Sequence, residues 1–446
     1  MIVSVGRMMR KGGGGLIWPK GLKESIKAIY DPAKQGMTNY DVIEAYAEDF
    51  TKWAYRNSRG TAKITNNAIV ITNVVETNNI VEDAKEPYSD LTIRVTGVTE
   101  DKYLIVRQGR GKPEAHIKKD GIYTFKDNNL YFGFGVSVIG GCNITITQLP
   151  TSILKDLSGN GNHAYLYGGK GKLNSGMGVY KFDFLSDLLI NSAYLPYTER
   201  QYDSICSLAG HPNGWLFQYK SLTDIPAFKV EVKGIVNDRF VYRYYDENGN
   251  RGKEIIINKD GIYELPISYS VENNTGVGIV CNNICQDNVC FTQIPDYPNQ
   301  LCYDGMMYAV CYDFPILTDY TVMADRTWFE RQNRACFLSK ITTSGTGAFG
   351  FEFYNEYNED TTYSFGRVNN VEQFKDGITY QITNSYNGIV KLDYIVNGKD
   401  NAELCIGKLR PSERLAFIGC HGAIIVADRS FTEEEINWLK DNLFRK

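Results

Sequence analysis

Two stretches of the chain, LTIRVTGV at 91–98 and FKVEVKGI at 228–235, share one pattern. Apolar and polar residues alternate in both, which is typical of a β-strand with one face in a core. The residues expected to face that core are Ile93, Val95, Val230 and Val232. The two stretches therefore predict the same half-buried strand in two parts of the chain.

Further matches follow each stretch in the same order. KDGIY at 119–123 recurs at 259–263, and TQLP at 147–150 matches TQIP at 292–295. The offset between the copies grows from 137 to 145 residues (230 − 93 and 292 − 147), so insertions fall between the matched segments, as in loops that join strands. The Asp-Gly dipeptide in each KDGIY favours a tight turn.

These matches predict an internal repeat of two small β-modules, at 51–150 and 200–297. Two copies are too few for a solenoid, which needs about three or more repeats. Near the start of the first module, AKITNNAIVITNVV at 62–75 has β-branched runs around an Asn-Asn pair, which predicts a hairpin.

The composition also favours strands and turns. The 446 residues include 42 Gly and 57 aromatic residues (31 Tyr, 21 Phe and 5 Trp). Charged residues make up 22% and hydrophobic residues 43%, which excludes a disordered chain. The net charge of −4 argues against a protein that coats nucleic acid. The length exceeds the roughly 250–300 residues that one hydrophobic core supports, so more than one unit is expected.

The N-terminal residues 1–21 form a Gly-rich, basic leader. Four consecutive glycines lose too much backbone entropy to hold a regular element. We interpret the leader as an arm that anchors the protein to a partner through Arg10, Lys11 and Trp18.

Two short helices are expected. The first would be capped by Thr38 or Asn39 and would continue to Phe50, with apolar residues at helical spacing. The second would follow the buried strand GAIIVAD near the C-terminus and present one apolar stripe. Its capping box and hydrophobic staple would comprise Thr432, Glu435, Phe431 and Ile436.

The ten cysteines show no C-x-x-C spacing. Cys281, Cys285 and Cys290 form a loose cluster that could hold a metal, although small buried hydrophobes are the simpler interpretation. The apolar start Met1–Val5 is too short for an export signal, and no apolar run of about 18 residues predicts a membrane span. The even number of cysteines also permits disulfides, but without an export signal we favour free thiols in a chain made in a reducing cytoplasm.

Five motifs outside the modules occur in a fixed order. SIKAIYDP at 25–32 would be an opening strand, TDYTVMADRTWF at 318–329 a central strand, and Phe431–Ile436 the start of a closing helix. A D-x-S-G-N-G-N motif comprises Asp156, Ser158, Gly159, Asn160, Gly161 and Asn162. An L-x-F-D-G type strand comprises Leu301, Tyr303, Asp304, Gly305 and Tyr308, with Met307 where a second Asp is usual. Together they resemble the concanavalin A-like lectin/glucanase (laminin-G-like) family, over about 22–47, 151–200 and 298–446.

This resemblance implies a mainly β protein, a jelly-roll β-sandwich into which both modules are inserted. The motif residues of the Asp156 and Asp304 turns would have structural roles. The implied segments are the arm (1–21), the first strand and short helix of the sandwich (22–50), module 1 (51–150), the sandwich continued (151–199), module 2 (200–297) and the sandwich completed with a short helix (298–446).

The segments YDPAKQGMTN, LKDLSGNGN, KDGIYELP, FTQIPDYPNQL, DFPILTDYTV, SYNG and DRSFTEEEINWLKDNL, in this order, are also similar to virion-associated proteins of tailed phages that infect gut Bacteroidales, crAss-like phages among them. This implies a non-enzymatic structural virion protein: a head or tail fibre, an appendage or a decoration subunit. The implied partners are further copies of the chain, with a trimer favoured, other virion proteins and host-surface polysaccharide. Nucleic acid, membranes and cofactors are not implied.

Carbohydrate chemistry leaves alternatives open. Sugars stack on exposed aromatic rings, and the candidates for such stacking are Trp215, Tyr245 and Tyr354. Glucanases of this fold use paired carboxylates on a strand, in the pattern E-x-D-x-x-E. That pattern is not reproduced by the nearby acids Glu352, Glu356, Glu359 and Asp360. A glycan-degrading depolymerase and a bacterial surface carbohydrate-binding protein remain alternatives, the latter requiring an export signal.

Calcium is a further possibility, at DENGN (246–250). The segment is rich in oxygen ligands but lacks the alternating acids and terminal Glu of an EF-hand. A type I′ hairpin turn at Asn248-Gly249 is the simpler interpretation.

Overall fold

The fold is known from a computed structural model. It describes residues 17–444 apart from internal gaps, which are 39–40, 56–60, 73–77, 84–89, 109–113, 127–131, 137–142, 170–187, 202, 220–223, 271–275, 316, 318–319, 331, 342–349, 357–358, 365–366, 371–376, 383–402 and 410–415. Between 341 and 402 only the backbone of the strands is described.

The N-terminal third contains helices α1 (Leu22–Ser25) and α2 (Pro32–Gln35), a 3-10 helix (Phe50–Lys52) and the first eleven strands. These strands are β1 (Ile26–Tyr30), β2 (Ala54–Tyr55), β3 (Thr61–Ile64), β4 (Ala68–Thr72), β5 (Asn78–Asp83), β6 (Leu91–Thr96), β7 (Leu104–Gln108), β8 (Ala115–Ile117), β9 (Gly121–Phe125), β10 (Phe132–Val136) and β11 (Asn143–Gln148). The predicted hairpin near 62–75 is confirmed, because β3 and β4 pair around Asn66 and Asn67.

The middle third continues with twelve strands and a 3-10 helix (Ser192–Tyr197). These strands are β12 (Ile153–Leu154), β13 (Ala164–Tyr167), β14 (Leu188–Leu189), β15 (Thr198–Arg200), β16 (Ser204–Ser207), β17 (Gly214–Tyr219), β18 (Phe228–Lys233), β19 (Phe240–Arg243), β20 (Ile255–Ile257), β21 (Gly261–Leu265), β22 (Gly278–Cys281) and β23 (Val289–Ile294).

The C-terminal third has ten strands and helix α3 (Glu433–Leu443). These strands are β24 (Leu301–Asp304), β25 (Tyr308–Cys311), β26 (Thr321–Glu330), β27 (Cys336–Ile341), β28 (Gly350–Glu356), β29 (Glu359–Ser364), β30 (Arg367–Asn370), β31 (Gly377–Ile382), β32 (Leu404–Ile406) and β33 (Ile418–Ala427). The described chain is therefore mainly β.

The two repeats have the same topology, strand for strand. The first has sheets β2-β5-β10-β7-β8 and β3-β4-β11-β6-β9, and the second has sheets β14-β17-β22-β19-β20 and β15-β16-β23-β18-β21. In each repeat one hydrophobic core joins the two sheets. We call these units module 1 (strands from residue 54 to 148) and module 2 (strands from residue 188 to 294). Strands β14 and β15 therefore belong to module 2, although they lie before or at residue 200, in the segment that the sequence analysis assigned to the sandwich.

The remaining strands form a third pair of antiparallel sheets, which we call the main sandwich. One sheet has the order β1-β33-β26-β31, with β24 also paired to β33, and the other has the order β12-β13-β25-β32-β27-β28-β29-β30. Its core includes Tyr30, Leu166, Trp328 and Phe417. Main-sandwich strands precede and follow each module in the chain.

The expected helix between Thr38 and Phe50 is wrong. In the described residues from 41 to 49 the chain has no helix, and its backbone instead bonds to segments distant in sequence. Glu44 N–H donates to the Gly169 carbonyl (3.0 Å), and Thr151 N–H donates to the Ala45 carbonyl (2.8 Å). Val42 is fully buried in the main-sandwich core. Tertiary pairing therefore overrides the helical spacing of the apolar residues.

The C-terminal helix agrees with its prediction. Thr432 and Glu435 form the expected capping box, with the Glu435 N–H donating to Thr432 Oγ1 and the Thr432 N–H to Glu435 Oε2. Phe431 and Ile436 are buried in one cluster with Leu439 and Leu443, so the apolar stripe lies against β33 and its neighbours. None of the described helices is long and apolar enough to cross a membrane.

The expectation of free thiols is wrong for one pair of cysteines. Cys206 and Cys290 lie opposite each other on β16 and β23 and form a disulfide across 84 residues of chain. Strand pairing brings them together, and their sequence spacing contains no sign of it. The other described cysteines are buried and lie outside this disulfide: Cys281, Cys285, Cys302, Cys311, Cys336, Cys405 and Cys420. Cys142 lies outside the described residues.

Candidate ligand-binding face

Four tyrosines gather on the outer face of the eight-stranded sheet. They are Tyr165 and Tyr167 of β13, Tyr308 of β25, and Tyr312 just beyond it. Alternation explains the arrangement, because Leu166 between the first two is buried in the core and each tyrosine is only half-buried. We call Tyr165, Tyr167, Tyr308 and Tyr312 the tyrosine cluster.

The four tyrosines of the cluster contact one another through their rings and through a hydrogen bond between hydroxyls. Tyr167 and Tyr308 lie directly opposite in β13 and β25, and their rings stack with centroids 5.2 Å apart at 15°. The hydroxyls of Tyr167 and Tyr312 are hydrogen-bonded at 2.7 Å. The ring centroids of Tyr165 and Tyr312 lie 6.3 Å apart. The rings of the cluster therefore lie next to one another, and the hydroxyls of Tyr167 and Tyr312 hold each other in place.

Charged side chains border the aromatic rings. Lys408 Nζ lies 4.5 Å from the centroid of the Tyr308 ring, and the Arg94 guanidinium carbon lies 4.6 Å from that of Tyr312. Arg94 Nη2 is 3.3 Å from Glu403 Oε1, in an ion pair whose side chains are 38% and 27% exposed. Because Arg94 belongs to β6, the cluster lies where module 1 meets the main sandwich.

Burial disfavours ionisation of the tyrosine hydroxyls. It raises the pKa of Tyr165 and Tyr312 to about 12. Burial and the neighbouring Tyr312 raise the pKa of Tyr167 well above its ordinary value. Neutral phenols both donate and accept hydrogen bonds. The cluster thus combines apolar ring faces with hydroxyl groups and both signs of charge, which suits a hydroxyl-rich ligand such as a sugar.

The aromatic residues named from the sequence lie elsewhere. Trp215 is half-buried on β17 of module 2, with the Arg243 guanidinium carbon 5.8 Å from its ring centroid. Tyr245 packs against the core of module 2 beside the 246–250 turn. For Tyr354, on β28, the side chain lies outside the described part of the structure. No contact joins Trp215 or Tyr245 to the tyrosine cluster among the described interactions.

The Asp156 turn binds the loop after β12 to strand β1. Asp156 is buried, and its Oδ1 accepts the N–H groups of Ile29 (3.0 Å) and Ser158 (2.8 Å). Its Oδ2 accepts the hydroxyl of Ser158 (2.9 Å) and the N–H of Asn162 (3.1 Å). All four contacts are internal, so this carboxylate has a structural role.

The rest of that motif completes the same attachment. The Asn160 side-chain amide donates to the Ile26 carbonyl (2.7 Å), and that of Asn162 donates to the Lys27 carbonyl (2.8 Å). Gly159 and Gly161 have φ of 93° and 80°, which glycine adopts without strain.

The turn at Asp304-Gly305 is also structural. Asp304 Oδ1 accepts the N–H groups of Met306 (2.9 Å) and Met307 (3.1 Å), and Gly305 has a φ of 84°. Met307, which stands where the family motif has a second Asp, is buried in the main-sandwich core. The turn places Tyr308 at the start of β25 and so supports the tyrosine cluster.

The side chains of Glu352, Glu356, Glu359 and Asp360 lie outside the described part of the structure, whereas the calcium candidate at 246–250 is described. Strand pairing places Glu356 opposite Glu359, where only the backbone is described. Within the described ranges, no set of three His, Cys, Asp or Glu side chains is arranged to hold a metal ion. Asp246 Oδ1 accepts the N–H groups of Asn248 and Asn250, each at 2.9 Å.

The turn at 246–250 differs from the predicted type I′ hairpin. Gly249 has a φ of 73°, but Asn248 is not in the positive region that a type I′ turn requires of both central residues. The Gly249 N–H instead donates to the Asp246 carbonyl (3.0 Å), so Glu247 and Asn248 are the central residues.

Of the proposed anchor residues, only Trp18 is described. It is half-buried and packs against Trp438 of α3, with ring centroids 4.8 Å apart. Arg10 and Lys11 lie outside the described residues. Trp18 therefore contacts the main sandwich itself.

A scan against protein-family models found no match, and a search of curated proteins found none.

Sequence reasoning did not find the tyrosine cluster, although part of its signal is visible. AYLY at 164–167 has the alternation of a half-buried strand with aromatic residues on one face. Its pairing with β25, about 140 residues later, follows from the tertiary structure alone.

Proposed function

We propose that this protein is a non-enzymatic structural component of a tailed-phage virion, and that it binds host-surface carbohydrate through the tyrosine cluster. The observation that carries the carbohydrate part is the parallel stack of Tyr167 and Tyr308 beside Tyr312, with Lys408, Arg94 and Glu403 at its border. Sugar C–H faces pack on such rings, while hydroxyls and charges bind the sugar oxygens. The virion part is supported by the ordered motifs that resemble virion-associated proteins.

The same proposal includes a jelly-roll fold of the concanavalin A-like type for the main sandwich and a homotrimer as the assembled state. It also includes attachment of residues 1–21 to other virion proteins. The antiparallel two-sheet architecture and the Asp156 turn support the jelly-roll fold. Light scattering of the purified chain tests the homotrimer, and the mass of a single chain would contradict it.

Polysaccharide binding tests the carbohydrate part. Purified capsular polysaccharide of a host strain is titrated into the wild-type protein and the Tyr308→Ala variant. We expect binding by the wild type and at least a tenfold weaker affinity for the variant, because half of the ring stack is lost. Trp215→Ala is the matched control, since Trp215 is also half-buried beside an arginine but lies in module 2.

Two outcomes would contradict this part of the proposal. One is an absence of binding at millimolar sugar, and the other is loss of binding in Trp215→Ala but not in Tyr308→Ala. Thermal unfolding of each variant shows whether it is folded. The length of the polysaccharide after long incubation is measured in the same samples, and a shortened polymer would favour a depolymerase instead.

Electron microscopy of intact virions tests the virion part. We expect density for a chain with three sandwich units on the particle surface, and a chain without residues 1–21 should fold but fail to join the particle. Normal incorporation of the truncated chain would contradict the anchoring role.

A further inference from the structure

A sulfur-rich cluster lies inside module 2, apart from the tyrosine cluster. The Sγ atoms of Cys281 and Cys285 are 2.9 Å apart, and both residues are buried at 1% and 2% exposure. A disulfide needs about 2.05 Å between the sulfur atoms, so less than 1 Å of movement separates the two thiols from a bond. The pair is distinct from the disulfide between Cys206 and Cys290.

The surrounding backbone holds Cys285 in place. Its N–H donates to the His211 carbonyl (2.9 Å), and its carbonyl accepts the Gly210 N–H (2.8 Å). The hydroxyl of Ser207 lies 3.2 Å from Cys285 Sγ. On the other side, the Cys281 thiol donates to the Asn283 carbonyl (3.0 Å). Contacts at both ends of the 281–285 loop thus hold the two sulfur atoms in place.

A buried histidine, His211, also influences the Cys285 thiol. Its ring is fully buried, and Nδ1 lies 2.8 Å from the Pro212 carbonyl oxygen. The hydrogen bond to Cys281 and burial raise the pKa of the Cys285 thiol, and the His211 ring offsets part of that rise. The hydrogen bond from Cys285 lowers the pKa of Cys281, which makes Cys281 the better nucleophile.

The fold itself does not require this cluster. In module 1 Ile71 occupies the position of Ser207, because β4 pairs with β11 in the same register in which β16 pairs with β23. The position of Cys281 is occupied by Val136, which lies opposite Leu104 as Cys281 lies opposite Phe240. At these two positions the sandwich therefore has aliphatic residues in module 1 and a hydroxyl and a thiol in module 2.

We propose that Cys281 and Cys285 are a redox site of module 2, which a small-molecule disulfide such as glutathione disulfide converts to a second disulfide. Residues 282–284 between the two cysteines are exposed, and displacement of this loop gives the disulfide access to the buried sulfur atoms. The Cys281 thiolate attacks one glutathione sulfur, which forms a mixed disulfide and releases one glutathione thiolate. The Cys285 thiolate then attacks the Cys281 sulfur and releases the second. Two protons and two electrons leave the protein, and two glutathione thiols are produced. The new bond closes the loop that carries Ile284, which is 64% exposed.

Peptide mapping in glutathione buffers tests this proposal. The wild-type protein is equilibrated at a series of glutathione ratios, alkylated in denaturant and cleaved before aspartate. This cleavage places Cys281 and Cys285 together on peptide 260–286 and Cys290 on peptide 287–295. In oxidising buffer we expect peptide 260–286 to be two hydrogens lighter and to carry no alkyl group. The ratio of its oxidised to its reduced form should rise about tenfold for each tenfold rise in glutathione disulfide at constant glutathione.

The disulfide between Cys206 and Cys290 serves as the internal reference. Peptide 203–223, which contains Cys206, should appear cross-linked to peptide 287–295 in the same samples. Cys281→Val copies the residue of module 1, and its Cys285 should become fully alkylated in oxidising buffer. The proposal is overturned if peptide 260–286 carries two alkyl groups at every ratio that keeps the Cys206–Cys290 cross-link. It is equally overturned if Cys285 in the wild type is found joined only to a cysteine other than Cys281.

Discussion

Modules 1 and 2 have the same ten-stranded topology but different chemistry. Segment 51–150 contains a single cysteine, Cys142, whereas segment 200–297 contains four: Cys206, Cys281, Cys285 and Cys290. Where module 2 has its disulfide, module 1 has Thr145 opposite Val70. The comparison indicates that strand alternation and turn chemistry specify this sandwich, and that the disulfide and the Cys281–Cys285 pair belong to module 2 alone.

What the copies share is visible in the KDGIY motif. The Asp120 carboxylate accepts the N–H of Val98 (2.9 Å), and the Asp260 carboxylate accepts that of Ile235 (2.8 Å). The hydroxyl of the motif's tyrosine donates to the carbonyl of its lysine in both copies, in Tyr123 at 2.5 Å and in Tyr263 at 2.8 Å. The motif thus recurs because each side chain satisfies backbone groups at one end of the sandwich.

The largest effect should come from removing the module 2 disulfide. Cys206→Ser combined with Cys290→Ser should lower the free energy of unfolding of module 2 by about 4 kcal/mol, because the unfolded loop between these residues is no longer closed. Chemical denaturation of both proteins measures the difference. The matched control in module 1 is Val70→Ser with Thr145→Ser, at the equivalent positions, and we expect about 1 kcal/mol there. Equal losses in the two double variants would contradict the comparison.

Gly97→Ala and Gly234→Ala should each cost about 3 kcal/mol, at equivalent positions of the two modules. Both glycines have a positive φ, 88° and 99°, and an added Cβ would lie 2.0 Å and 2.2 Å from the carbonyl oxygens of Asn143 and Asn288. Gly159→Ala is the control, since its φ is 93° but no atom lies within 4 Å of the added Cβ. Thermal unfolding should rank the control well below the other two. A Gly159 variant as unstable as the others would show that backbone strain alone decides the cost.

Asp120→Ala and Asp260→Ala should each cost about 1 kcal/mol, because one hydrogen bond from a backbone N–H to a carboxylate is lost at a partly exposed site. Denaturant unfolding of the single variants measures both losses. Similar values would support equal roles for the two copies. A loss in one module alone would show that the shared motif is used in that module only.

The smallest effect is a response to acid that is confined to module 2. Asp287 accepts the N–H groups of Val236, Asn237 and Asp238, and these hydrogen bonds lower the pKa of its carboxyl below the ordinary value. The stabilisation is present above that ordinary value and is lost as the pH falls through the lowered pKa. Hydrogen exchange of amides 236–238 should therefore gain protection between acid and neutral pH. Asp287→Asn should remove this dependence, and an unchanged profile in the variant would contradict the assignment.

The predicted elements succeeded where the signal is local. The hairpin at Asn66-Asn67 and the Thr432–Glu435 capping box depend on residues that are neighbours in sequence, so pattern and structure agree. The prediction of a helix before Phe50 was wrong. Its apolar spacing is a local signal, whereas the backbone of this segment bonds to Gly169 and Thr151, which are distant in sequence. The tyrosine cluster could not be predicted for the same reason, since its two strands lie about 140 residues apart.

The sequence by itself determined the repeat, the β-class of the chain, the turns at Asp120 and Asp260 and the closing helix. Alternation, turn dipeptides and caps act over a few residues, and those residues are adjacent in the chain. The tertiary structure decided which strands became neighbours, and with it the Tyr167–Tyr308 stack, the Cys206–Cys290 disulfide and the contact between Cys281 and Cys285. A period of two residues shows which side chains share a face, but the partner strand is chosen by the packing of the whole sheet.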